Sequence, residues 1–139
     1  MSLANILTLA GGALNAQTVR LNTIASNIAN TEVVSSTKEQ AFRAKKPVFP
    51  TVLEDAQSAM PSGYGVKVNK ITESQAENPK VYDPTNPVAD SEGYVWHSNV
   101  NPLEEMADML EASRAFESIL TTASTAQQLM IRTIDMNTK

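Results

Sequence analysis

Leu21-Asn22-Thr23-Ile24-Ala25-Ser26-Asn27-Ile28-Ala29-Asn30 is the stretch that decides the fold. Leu21 and Ile28 continue a row begun by Leu7 and Leu14, one apolar residue every seventh position. Leu3, Ala10, Gln17 and Ile24 fill the other seam position, so the steps alternate between four and three. That is the stripe of a coiled coil. It predicts a helix from Ser2 or Asn5 to Asn30 or Thr31, a rod of roughly 39 Å that a small globular core cannot cover. Such a helix needs a partner along its length.

The rest of this helix points the same way. Arg20 is the only charged residue between Met1 and Asn30, and Asn22, Ser26, Asn27 and Asn30 stand where a solvated face would carry Glu and Lys. Asn, Ser and Thr are weak helix formers that compete for backbone hydrogen bonds. Their use here predicts a face made for burial among neighbours. A slightly polar core helix is the plainer alternative.

Working outward, the pattern changes at Thr31. Six of the seven prolines and three of the five glycines lie between Thr31 and Asn101, with no sustained helical period. Gly65 to Thr72 is the best strand, Ala41 to Val52 suits an edge segment broken by Pro47 and Pro50, and Glu92 to Trp96 is a turn entering a short strand. Thr31 to Gln40 has little apolar content and is expected as a disordered loop.

A second helix begins after Asn101. Asn101 can cap, Pro102 suits the first helical position, Glu104 stands three residues after the cap where it can return a hydrogen bond, and Glu105 and Asp108 place negative charge near the positive helix end. Its expected seam runs through Met106, Met109, Ser113, Phe116, Leu120, Ala123, Gln127, Met130 and Ile134, and no residue from Ser118 to Ile131 is charged. The fold class expected is therefore mainly α with a β-rich insertion. Residues 1–30 form an N-terminal assembly helix, 31–101 a β-rich and loop segment, and 102–139 a C-terminal assembly helix.

Composition removes several functional classes. A net charge of −4 argues against nucleic acid, which rewards a basic stripe. The chain has no cysteine, and no run of residues is long and apolar enough to span a membrane. No Lys or Arg precedes the short apolar run at Ile6 to Ala10, which speaks against a cleaved secretory signal. His97, the single histidine, has no triad or metal partner in its surroundings, and Gly11-Gly12 lacks the strand and Lys-Ser/Thr of a phosphate loop. Neither catalysis nor a cofactor or metal is expected.

The decamer at Leu21 to Asn30 resembles the N-terminal motif of bacterial flagellar rod and hook proteins. Asn86 to Val95, Asn99 to Met106, and Ala112-Ser113-Arg114-Ala115-Phe116-Glu117 resemble later signatures of the short proximal-rod group, the FlgC family. Thr31 to Glu39 departs from it in having no glycine, and Phe42 and Phe116 stand where tyrosine is frequent. The resemblance implies a structural subunit of the flagellar basal body, exported unfolded by the flagellar type III apparatus and assembled helically into a torque-transmitting rod across the periplasm. Implied partners are copies of itself, other rod proteins and a rod-to-ring adaptor at the basal-body base, without direct insertion into a membrane. The assembly interface expected comprises Leu7, Leu14, Gln17, Leu21, Asn22, Ile24, Ser26, Asn27, Ile28 and Asn30 of the first helix. From the second it takes Met109, Ser113, Arg114, Phe116, Leu120, Gln127, Met130 and Ile134. A coiled-coil adaptor or type III secreted cargo that never polymerises is the alternative.

Overall fold

The two terminal helices pair within one chain. A computed structural model describes residues 3–49 and 70–137. In order these form α1 (Leu3–Ala29), β1 (Val34–Ser35), β2 (Lys45–Val48), β3 (Lys70–Glu73), β4 (Lys80–Tyr82), β5 (Tyr94–His97) and α2 (Pro102–Asn137). Asn27 near the end of α1 bonds Glu105 at the start of α2, while Arg20, two turns earlier in α1, meets Asp108 and Glu111 further along α2. The helices are antiparallel. From that register α2 outruns the start of α1 by about eight residues, roughly 12 Å.

The seam between them is built on small residues. In α2 the covered row is Glu105, Met109, Ala112, Phe116, Ile119, Ala123, Ala126 and Met130, spaced alternately by four and three. Met109, Phe116, Ala123 and Met130 are where the sequence reading puts them. Met106, Leu120, Gln127 and Ile134 are exposed instead, and Ser113 is half-buried. The row that goes inside carries three alanines, two of them buried, which lets the backbones approach closely. The bulkier row is left outside. In α1, Ala10, Ala16, Thr23, Ile24 and Asn27 are buried, while Leu7, Leu14, Leu21 and Ile28 are half-buried along the flank.

Among its described residues the insertion makes two small antiparallel sheets, one ordered β1-β5-β4 and the other the pair β2-β3. Val95 of β5 is fully buried, and with Ala41, Ala44 and Val100 it forms the module's small core. Thr31 to Gln40, expected as a disordered loop, holds β1, whose Val34 pairs with His97 and Ser35 with Trp96. A two-residue strand fixed by a partner sixty positions away leaves no local periodicity to read. Of the expected strand Gly65 to Thr72, residues 70–72 lie in β3, and 65–69 lie outside the described residues. Residues 50–52 of the expected edge segment also lie outside them.

The phase of β2 explains Pro47. Ser74 donates its N–H to the Ala44 carbonyl at 2.7 Å, so Ala44, Lys46 and Val48 face β3 and the backbone of Lys45 and Pro47 turns outward. A proline at an outward position forfeits no ladder bond. Side-chain amides then stitch the module's loops. Asn78 donates to the carbonyls of Phe42 and His97, both at 2.8 Å, and Asn99 accepts from the Ala44 N–H at 2.7 Å and donates to the Ala76 carbonyl at 2.9 Å.

The turn into β5 rests on Asp90 and Gly93. The Asp90 carboxylate accepts the N–H groups of Tyr94 and Glu92, each at 2.9 Å, and these bonds, Tyr94's foremost, hold its carboxyl below the usual range. Gly93 has φ of +81°, and a Cβ there would meet Tyr82 Cε2 at 3.0 Å and Pro84 Cβ at 3.2 Å. Gly93→Ala is therefore expected to cost about 1–3 kcal/mol. Urea denaturation followed by Trp96 fluorescence would measure it, and an unchanged midpoint would remove the strain argument.

Candidate assembly surface

Asn27 is the point where helices and module meet. It is 1% exposed. Its Oδ1 accepts the Lys45 N–H at 2.8 Å, and its Nδ2 donates to the Lys45 carbonyl at 2.9 Å and to Glu105 Oε1 at 3.0 Å. One amide thus satisfies both outward backbone groups of Lys45, as a neighbouring strand would, and reaches α2 as well. Glu105 is 7% exposed, and burial pushes its carboxyl up, with the Asn27 bond and Lys46 acting against that and Asp108 and Glu104 adding to it.

Arg20 sets the register further along. Its guanidinium lies 3.8 Å from Asp108 and 3.6 Å from Glu111, in partly solvated surroundings. Such pairs contribute little energy but discourage slippage of one helix along the other.

The outer faces follow from helical geometry. A residue one place after a seam position lies about 100° further round. In α2 that row runs Met106, Leu110, Ser113, Glu117, Leu120, Ser124, Gln127 and Ile131, and its large apolar members Met106, Leu110, Leu120 and Ile131 are each more than half exposed. In α1 the residues after Ile6, Ala13, Arg20 and Asn27 are Leu7, Leu14, Leu21 and Ile28. Both helices are right-handed and run in opposite directions, so the same rotation brings the two rows to one side of the hairpin. The result is a face with large apolar residues from both helices, interrupted in α2 by Ser113, Glu117, Ser124 and Gln127.

Several threonine hydroxyls nearby already have partners. Thr121, Thr122 and Thr125 donate their hydroxyls to carbonyls four residues back, each at 2.9 Å, in the charge-free part of α2. Thr18 does the same to Leu14 in α1 at 2.9 Å. These hydroxyls can leave water without losing their bond, which lowers the cost of covering the surface.

Two family models match at the chain's two ends. One described as "Flagella basal body rod protein" matches residues 7–34, and one described as "Flagellar basal body rod FlgEFG protein C-terminal" matches residues 91–136. The flagellar basal-body rod protein FlgC of Salmonella typhimurium (strain LT2) is 41% identical over 136 residues, 98% of each chain. FlgC of Escherichia coli O157:H7 is 40% identical over 136 residues and 98% of each chain. FlgC of Bacillus subtilis (strain 168) is 32% identical over 148 residues, spanning 98% of this chain and 99% of its own. The chain belongs to the FlgC family of flagellar basal-body rod proteins. It is a structural rod protein of the flagellar basal body, and among its described residues no helix is long and apolar enough to cross a membrane.

With the FlgC-family frame in place, the expected interface residues fall into three groups. Ile24 and Asn27 are buried in the chain's own hairpin or junction, and Gln17, Met109, Ser113, Phe116 and Met130 are half-buried there. Leu7, Leu14, Leu21 and Ile28 flank the seam. Asn22, Arg114, Leu120, Gln127 and Ile134 are exposed, and Ser26 and Asn30 bond to each other's turn through the Asn30 Nδ2 and the Ser26 carbonyl at 2.7 Å. Sequence reasoning did not single out Leu110, a large apolar residue 61% exposed, or the buried position of Glu105. The signal for Leu110 was its step of four from Met106. Glu105 carried none, because an acid in a first turn is ordinarily a solvated one.

His97 contributes backbone: its N–H donates to the Pro79 carbonyl at 2.9 Å and its carbonyl accepts from Asn78. An open polar cleft of about 560 Å³ beside β2 carries both signs of charge, Lys38, Arg43 and Lys45 against Glu39 and Glu73. Asn27→Ala strands the Lys45 backbone groups and the Glu105 carboxyl, and the expected loss is about 2–4 kcal/mol. Arg20→Ala should cost under ~1 kcal/mol. Chemical denaturation of both variants tests the ranking, which reverses if the ion pairs rather than the amide hold the hairpin to the module.

Proposed function

We propose that this chain is a subunit of the proximal rod that joins neighbouring subunits through the apolar face of the α1/α2 hairpin. The observation that carries the reading is that face: Leu7, Leu14, Leu21 and Ile28 beside Met106, Leu110, Leu120 and Ile131, next to a fourteen-residue stretch without charge. Burying it is favourable at roughly 25 cal/mol per Å² of apolar area. Set against a different surface of the next copy, in one orientation and with a rotation that does not close a ring, such a contact builds a helical rod. Many lengthwise helix contacts give that rod the stiffness that transmitting torque requires.

The remaining parts of the reading follow from this role. The subunit leaves the cytoplasm through the flagellar type III export apparatus without a cleaved signal, and in the basal body it contacts other rod proteins and the rod-to-ring adaptor at the base. Neither a cofactor nor a catalytic group takes part. Asn22, Gln127 and Arg114, exposed on the helices, pair with polar groups of adjacent subunits.

Leu110→Asp and Leu120→Asp place a charge on the face while leaving the hairpin seam untouched. An unpaired charge in a desolvated contact costs several kcal/mol. Each is expected to abolish incorporation into isolated basal bodies and swimming, with the purified chain still folded by circular dichroism. Leu21→Asp and Ile24→Asp should also block incorporation, the second by unfolding the hairpin as well. His97→Ala should swim normally. Full motility of both the Leu110 and Leu120 variants would place the assembly surface elsewhere. Sedimentation in which the chain stays monomeric and leaves purified rods unextended would favour the adaptor alternative.

A further inference from the structure

The outward row of α2 holds one charge. Between Met106 and Ile131 its single ionisable side chain is Glu117, with Leu110 two turns before it and Leu120 one turn after. The Leu7 to Ile28 row of α1 has none. Glu117 is exposed, and among the described residues its carboxylate has no ion pair, not even with Arg114 one turn earlier on the same helix. A neighbour that covers Leu110 and Leu120 also takes Glu117 out of water. A carboxylate desolvated without a cation opposes such a contact strongly. The covering surface has to supply the cation.

The cleft beside β2 has one to offer. Of its three cations, Lys38 pairs with Glu77 at 3.4 Å and Lys45 stands over the Phe42 ring, 5.7 Å from its centre. Arg43 is half-buried in the cleft, and among the described residues its guanidinium has no ion pair. The cleft is open and about 560 Å³ in volume, enough to admit a glutamate side chain. A guanidinium receives a carboxylate through two parallel hydrogen bonds, which a lysine does not.

We propose that Glu117 of one subunit enters the cleft beside β2 of the next copy and pairs there with Arg43. The inference rests on the outer face of the hairpin being an assembly contact, and it names the surface that face meets. The pair cannot form within one chain. Lys45 is tied through Asn27 to the level of Glu105, and Glu117 stands twelve residues further along α2, roughly 18 Å away. Helix face against module cleft is a contact between unlike surfaces, so each copy offers both halves and the addition of copies continues.

Charge exchange tests the pairing in cells where the chain is replaced by each variant, with incorporation read from isolated basal bodies. Arg43→Glu and Glu117→Arg are each expected to lower incorporation about tenfold or more, and both changes in one chain to restore it to within about threefold of the unaltered chain. Normal incorporation of either single variant, or no recovery in the double one, would overturn the pairing. So would recovery when Glu117→Arg is combined with Arg114→Glu or Arg132→Glu instead. Should Arg43→Glu fail to fold, crosslinking decides, since the chain has no cysteine of its own. Coexpressed Glu117→Cys and Arg43→Cys chains should give a disulfide-linked dimer in oxidised basal bodies that neither gives alone, because the bridge requires Cα atoms within about 7 Å. No such dimer overturns the pairing. Leu110→Asp keeps the two readings apart: its normal incorporation removes the apolar face as the contact, whereas its loss together with an unrescued charge exchange removes the Glu117–Arg43 pair alone.

Discussion

The structure depends on an asparagine behaving as a strand. Asn27 presents an N–H and a C=O at the spacing of a peptide group, and Lys45 receives both as it would from a neighbouring chain. A two-stranded sheet with one edge on a helix would otherwise bury backbone groups without partners, each costing about 1–3 kcal/mol. The amide's remaining hydrogen goes to Glu105, so the bond that closes the sheet edge also anchors the start of α2. Asn99 likewise accepts a backbone N–H and donates to a carbonyl, and Asn78 donates to two carbonyls, at the loops around β5. With few large side chains buried among the module's described residues, this polar stitching takes over positioning that bulky hydrophobes supply elsewhere.

The outer surface of the hairpin follows a different rule, that of exposed hydroxyls which already have a hydrogen-bond partner within their own helix. Threonine hydroxyls folded back on their own helix expose methyl groups and keep their hydrogen bond. A face of this kind stays compatible with solvent in the free chain and loses little when covered. Leucine alone on such a face would favour indiscriminate aggregation, and charge would oppose close approach.

The long elements were legible in the sequence because their signals are local and repeated. The heptads of α1, the Asn101-Pro102 start of α2 and the turn before Tyr94 each stand within a few residues of what they specify, and Asn101 Oδ1 accepts the Leu103 N–H at 3.2 Å as a cap should. The α2 seam was half legible. Two apolar rows lie about 100° apart on that helix, and periodicity alone gives no reason to send the alanine row inward and the Met106–Leu120 row out. That choice is made by how closely two backbones can approach. β1 and the Asn27–Glu105 junction were illegible for a related reason: each is defined by a partner far along the chain, with no period of its own.

The antiparallel register has a consequence for symmetry. With the five strands gathered at the Asn27–Glu105 end of the hairpin and α2 outrunning α1 at the other, the subunit has a head and a tail that differ in chemistry as well as shape. Copies stacked in a common orientation must then make a shaft with an arrow, whose two ends offer different surfaces to whatever meets them.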